Sequence, residues 1–418
     1  MIFSKPALRR SAAALFGLTA ATLLVVVIAP FQARAGDNIE GTAGLLAIID
    51  RFWDRRLYSG AAGFDGSILW RLNPAGLPNG IAKQDFIDAI QAGFDTWASI
   101  DDSLPGPPLV PIVTYGGESS AAEVGAVDGV NLVRFAPVDG AGGTLAIAPC
   151  TWLTSAATTI DDGNGGAMLP VRSGVTIPFP GPPGVTYRAG TVVDCGIVFD
   201  SNDSWGFGDQ GFDIQSIGTH EEGHFLSMSH STVGLTESVG SADDATMIPF
   251  VSTAIDLRTP KLDDAASLIR SYARANFESQ IQGGFARIMG RVARGANCAQ
   301  PASGVSVRAY VESEGFNGAR ATETFSGSTL RPGLPGEPKD GSFELNVYPY
   351  SSYKIALLQL DNDFNAAPSS FRFNLTTALG NSKKAGTLRT EAAQTGLLLS
   401  GQTVDVGVLG VDGCVPAN

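Results

Sequence analysis

The sequence predicts an α+β domain followed by a small all-β sandwich. Three observations carry this expectation. Stretches with apolar residues at helical spacing alternate with short strand-like runs. The 51 glycines and 24 prolines among 418 residues favour turns and strands over a long helical bundle. Composition also shifts near Gln282-Gly283-Gly284: all five tryptophans and all three histidines precede it. The length suffices for two cores, and the expected division is 1–35 leader, 36–65 extension, 66–281 mixed domain and 282–418 sandwich.

Residues 1–35 read as a secretory signal. Lys5, Arg9 and Arg10 form a basic start, an apolar run extends from about Ala12 to Ala29, and Ala33-Arg34-Ala35 offers a small-residue cleavage site before Gly36. Cleavage would remove Lys5, Arg9, Arg10 and Arg34 and no acid, taking the formal charge from −13 to −17. The run is long for a signal, so an uncleaved membrane anchor is the alternative. Arg9-Arg10 offers a weak twin-arginine signal. Secretion is therefore expected, with periplasmic or membrane-anchored placement as variants and no stable span after cleavage. An acidic chain repels phosphate backbones, which argues against nucleic acid as a partner.

In the mixed domain, Gly41 to Tyr58 reads as a helix with Leu45, Leu46, Ile49 and Trp53 on one side, either a propeptide remnant or an extra layer. Ser67 to Leu72 is a strand, ended by Asn73-Pro74. Ala82 to Ile100 is a helix with Phe86, Ile90, Phe94 and Trp97 at helical spacing. Strands follow at Val110–Thr114, Val130–Phe135, Thr144–Ala148 and Val192–Phe199. Asp213 can cap a helix that carries Ile214 and Ile217, and Leu262 to Tyr272 reads as an acid-capped amphipathic helix. Beyond Phe285, alternating strands are expected at Val305-Val307-Ala309, Phe343-Leu345-Val347, Tyr353-Ile355-Leu357 and Val404-Val406-Val408.

The chemistry concentrates in His220-Glu221-Glu222-Gly223-His224-Phe225-Leu226-Ser227-Met228-Ser229-His230, which holds all three histidines of the chain. Positions four apart share a helix face, so His220 and His224 can offer their imidazoles to one zinc ion. Glu221 is placed to take a proton from water there. His230 follows His220 by ten positions, about 15 Å along a continuous helix, so the helix must stop and the chain turn back. Cys150, Cys195, Cys298 and Cys414 suit an oxidising compartment. Of three pairings, those within domains are Cys150–Cys195 and Cys298–Cys414; buried free thiols are the alternative. No C-x-x-C occurs, so the cysteines do not read as zinc ligands.

The zinc segment with its following methionine resembles the metzincin metallopeptidases, and within them the matrixin group. Gly223, Ser231 after the third histidine, Thr246-Met247-Ile248-Pro249 as a methionine turn, Leu262-Asp263-Asp264, Ile68 to Leu72, Phe94 to Trp97 and Ile197 to Asp200 all fit, covering about residues 66–273. The resemblance implies a twisted mixed sheet plus helices. It implies one catalytic zinc held by His220, His224 and His230, Glu221 as the residue that polarises water, and Met247 as an apolar floor. It also implies Leu145-Ala146-Ile147-Ala148 as the edge strand that pairs with an extended peptide, and Pro249, Phe250 and Val251 as specificity-pocket wall. Four features depart from the pattern. Ser227 replaces the glycine of the sharp turn, and Met247 follows His230 by 17 positions, a longer loop than usual. No histidine remains for a second zinc, and no cysteine precedes Cys150 to act as a propeptide latch. Calcium ligands could lie at Asp161-Asp162-Gly163-Asn164 or at Asp200, Asn202 and Asp203, with solvated turns as the alternative. The C-terminal part resembles carboxypeptidase-regulatory-like or transthyretin-like sandwich modules through Ile288 to Val292, Gly304 to Val307, and Gly341-Ser342-Phe343 leading to Tyr353. The expected function is a secreted zinc endopeptidase acting on protein or peptide substrates. The alternative is a non-catalytic surface-binding protein on the same scaffold. Oligomeric state is not legible in the sequence.

Overall fold

In the computed structural model, mixed α+β in composition, strands outnumber helices. The structure describes residues 53–54, 67–100, 110–125, 128–138, 144–153, 155–164, 166–172, 175–179, 183–208, 210–228, 231, 244–248, 256–272, 285–302, 305–315, 318–325, 341–358, 389–411 and 414. The leader, most of the extension, His230, Pro249, Phe250 and Val251 lie outside them. No helix among the described residues is long and apolar enough to cross a membrane.

The first core is built on a five-stranded sheet. Strands β1 (Ile68–Asn73), β2 (Val113–Glu118), β3 (Asn131–Ala136) and Ile197–Asp200 run parallel, in the order β2, β1, β3, Ile197–Asp200. At the end of this order β4 (Ala146–Ile147) lies antiparallel, pairing Ile147 with Val198 and Ala146 with Phe199. The two parallel strands β1 and β2 need a crossover, and helix α1 (Lys83–Ser99) supplies it. Its Phe86, Ile90, Phe94 and Trp97 are buried, as the spacing predicts. Phe86, Phe135, Phe199 and Trp205 then form an aromatic cluster with ring centroids 5.1–5.8 Å apart.

Helix α2 (Ile214–Phe225) packs against α1, and helix α3 (Leu262–Tyr272) closes the layer. Trp53 belongs to this core rather than to a detached segment: it stacks on Phe225 at 5.3 Å, and its indole N–H donates to Phe225 O at 2.8 Å. Residues 53 and 54 are not helical, so the expected helix does not extend through Trp53.

The single strand expected over Val192–Phe199 is two. Gly196 divides it, because a side chain there would overlap Val124 and the backbone oxygen of Leu132. Val192–Cys195 pairs instead with Cys150–Trp152, and the cysteines are bonded as Cys150–Cys195 and Cys298–Cys414. The second expected strand is shifted toward Glu118. The meander of Ile160–Asp161, Ala167–Arg172 and Val175–Phe179 was not expected at all.

The second core lies between two four-stranded sheets. One holds Gln300–Pro301, Ala286–Arg294, Ser342–Val347 and Thr403–Val411; the other runs Thr322–Phe325, Ser306–Tyr310, Lys354–Leu358, Arg389–Gln394. Ile288, Val307, Phe343, Leu345, Tyr353 and Ile355 fill the space between them. The expected alternation of burial fails along Ser306–Tyr310, where every residue is buried, and again at Gly407. Gly407 takes φ +74° and shifts the register, so Val408 is exposed and Leu409 is buried instead.

Candidate metal centre

Asp213 starts α2 as expected. Its Oδ1 accepts from Ser216 N at 2.7 Å and from Arg258 Nε at 2.9 Å, and its Oδ2 accepts from Arg258 Nη2 and Gly208 N. The cap therefore ties the helix start to a second loop. Every residue of α2 but Gln215 is buried, which makes the polar segment Thr219 to His224 expensive to leave without defined partners.

His220 and His224 present their Nε2 atoms to each other at 3.1 Å. Each ring is oriented from behind: His220 Nδ1 meets Thr246 O at 2.7 Å, and His224 Nδ1 meets Met228 O at 2.9 Å. A carbonyl only accepts, so each Nδ1 carries the proton and each Nε2 presents a lone pair. Burial holds His220 neutral by lowering its pKa to about 3, although the bond to Thr246 O pulls the other way. Two lone pairs converging at 3.1 Å repel unless a cation lies between them. The separation is close to that of two nitrogens each about 2.0–2.1 Å from one zinc ion. The pair therefore fits a metal. Among the described residues no group of three histidine, cysteine or acidic side chains has metal-holding geometry. The expected third ligand, His230, lies outside the described residues.

Glu221 and Glu222 are both fully buried. Burial raises the Glu221 carboxyl to about 8; a nearby cation would bring it down. Glu222 lies against Gly93 of α1, neither of its oxygens has a hydrogen-bond partner among the described residues, and burial followed by the Asp95 charge pushes its pKa well up. It has no evident part in the centre.

The helix stops where the spacing of the histidines requires. Ser227 takes φ +74°. Met228 N donates to Gly223 O at 2.9 Å and Ser227 N to His224 O at 2.8 Å, which is a Schellman ending with serine in the left-handed position. Met228 O is thereby delivered to the His224 ring. Trp53 Nε1 and the Tyr272 hydroxyl satisfy the next carbonyls, those of Phe225 and Leu226.

Met247 sits against the middle of α2. A side chain on Gly223 would overlap its sulfur, so glycine is required between the two histidines for this contact. The methionine turn is held by Asp264, whose carboxylate accepts from Thr246 N at 2.8 Å, Met247 N at 3.0 Å and Lys261 N at 2.7 Å. Ser231 N donates to Met247 O at 2.8 Å, so the chain has returned to the turn one residue after His230. Sequence reasoning noted Asp263 and Asp264 only as helix openers. The spacing of Asp264, three positions after Lys261, was the available signal for a capping carboxylate.

Leu145, Ala146 and Ala148 are buried and Ile147 half-buried. They form the end of the sheet beside α2, and no strand pairs with the outer edge of β4 among the described residues. Pro249 and Phe250 lie outside the described residues. The two candidate calcium turns are engaged with their own backbone: Asp161 accepts from Gly163 N, Asp162 from Asn164 N and Gly166 N, and Asp200 from Asn202 N.

No protein-family model and no curated protein matches the chain. Among solved structures it is similar to a 9R-lipoxygenase from Cyanothece PCC8801, with 14% identity, a TM-score of 0.16, and coverage of 30% of this chain. The chain spans 16% of that lipoxygenase, and a likeness this slight carries no argument about fold or function.

Proposed function

We propose that this chain is a secreted zinc-dependent endopeptidase of the matrixin-like metzincin kind. The observation that carries the reading is the convergence of His220 and His224 Nε2 at 3.1 Å, each ring fixed from behind by a carbonyl. His230 supplies the third nitrogen. Bound there, zinc supplies a Lewis acid that activates water and stabilises negative charge on the attacked carbonyl oxygen. Glu221, next to the first ligand, takes the proton of the attacking water and passes it to the leaving nitrogen as the C–N bond breaks. The outer edge of β4, with which no strand pairs among the described residues, suits a peptide substrate lying extended, backbone to backbone. Two disulfides suit a site of action outside the reducing cytoplasm.

The Schellman ending at Ser227 supports a catalytic reading over a non-catalytic scaffold, because serine makes the turn that the missing glycine would make. The test compares wild type with Glu221→Ala on a broad protein substrate, with zinc content measured in both. The expected outcome is zinc in both and a loss of proteolysis of at least about 100-fold in the variant. A wild type that holds zinc and cleaves nothing, with or without added calcium, contradicts the proposal.

A further inference from the structure

We propose that the C-terminal sandwich is a working part of the metal centre, and that Thr322 and Glu323 act through Asp263 as positioning residues for Ser231 and the methionine turn. This rests on the zinc reading above. Asp263, in the first turn of α3, is buried and takes hydrogen bonds from two sides. Its Oδ1 accepts from Thr322 Oγ1 at 3.1 Å and Glu323 N at 2.7 Å, both from the sandwich strand Thr322–Phe325. Its Oδ2 accepts from Ser231 Oγ at 2.6 Å. A carboxylate is planar, so fixing one oxygen fixes the direction of the other. The sandwich donors thereby decide where Ser231 is held.

Ser231 directly follows His230, the proposed third ligand, in the chain. The strand that holds Asp263 is itself fixed by a buried ion pair, Arg308 Nη2 to Glu323 Oε2 at 2.7 Å. A second contact acts at the far end of the same segment. Ala245, next to Thr246, packs with Tyr310, Ala321 and Ala356 of the sandwich in a small buried cluster. Leu262 N also donates to Ala319 O at 3.3 Å, docking the start of α3. The sandwich thus reaches the Ser231 end of the stretch between Ser231 and Thr246 through Asp263 and touches the other end directly at Ala245; those ends meet Met247 O and the His220 ring. Without the Thr322 and Glu323 donors, a buried carboxylate would keep one bond where it has three, and would turn or draw in water.

The test uses the full chain with Thr322→Val, Asp263→Ala and Asp263→Asn, and with Thr395→Val as a control. Thr395 is a buried sandwich threonine bonded to Tyr353 N, far in sequence from the centre. Amide hydrogen exchange is read at Ser231, Thr246 and Met247 in metal-free protein, and zinc affinity by chelator competition. Exchange at Ser231 is expected to rise about tenfold or more in Thr322→Val and Asp263→Ala, and zinc affinity to fall about tenfold. Asp263→Asn keeps a carbonyl for the sandwich donors and an amide that the Ser231 hydroxyl can accept from, so it is expected to restore both readouts to within about threefold. Thr395→Val is expected to change neither. Should Asp263→Ala fail to fold, Thr322→Val decides alone. Unchanged exchange overturns the coupling, and faster exchange with unchanged affinity overturns its role in the centre. A wild type that binds no zinc instead defeats the metal reading, while the exchange data still decide the coupling.

Discussion

At the scale of single residues, Ser227 and Glu222 depart from what local chemistry favours, and each does so in a different way. Ser227 holds φ +74°, a conformation that costs an L residue about 1–2 kcal/mol and glycine nothing. Ser227→Gly is therefore expected to raise stability by about 1 kcal/mol, seen as a higher urea midpoint at an unchanged slope. A neutral or destabilising result would show that the serine side chain contributes to the turn. Glu222 is a buried acid whose folded pKa lies well above the ordinary 4.5. The folded chain thus binds this proton more tightly than the unfolded one. The contribution to stability is complete below about pH 4.5 and is lost as pH rises from there toward the folded value, by up to about 1.4 kcal/mol per pH unit. Glu222→Gln is expected to remove that slope, so that the variant gains on wild type between pH 5 and pH 8 in metal-free urea titrations. Equal slopes in the two proteins would mean that Glu222 is solvated or paired. That His220 and His224 face one another was legible, because their four-residue spacing alone defines one helix face. The carbonyls of Thr246 and Met228 behind the rings were not, since backbone oxygens carry no residue signature and arrive through the turn and the loop.

At the scale of elements, the helices were the most legible parts. In α1 four large apolar residues recur at a single period, and in α2 an aspartate precedes the first apolar residue and accepts from Ser216 N. Strands were less so where a backbone contact overrides the pattern. Gly196 splits an apolar run because Leu132 O lies too close for any side chain, and Gly407 moves burial from Val408 to Leu409. Two-residue strands such as Ala157–Thr158 have no period to read. The end of α2 illustrates a helix finished by distant parts of the chain: Trp53 donates to Phe225 O, and Tyr272 to Leu226 O. Trp53→Phe keeps an aromatic ring for the stack on Phe225 and leaves a buried carbonyl without its donor. It is expected to cost about 1–3 kcal/mol in urea unfolding. A cost near zero would place residue 53 outside the working domain.

At the scale of the whole molecule, two apolar cores meet at the methionine turn and α3 rather than at a bare linker. Composition places an expected change of domain near residue 282, since all five tryptophans and all three histidines precede it. It could not mark Asp263, whose partners Ser231 and Thr322 lie 32 and 59 positions away in opposite directions along the chain. The acidic charge describes the surface; the proposed chemistry depends on a few buried atoms around α2. X-ray absorption at the zinc edge of the purified full chain tests that dependence most directly. The account predicts one zinc per chain with three imidazole nitrogens at about 2.0–2.1 Å and an oxygen completing the shell, all lost in a His220→Ala, His224→Ala double variant. A zinc-free wild type, sulfur in the first shell, or a signal unchanged in the double variant would contradict it.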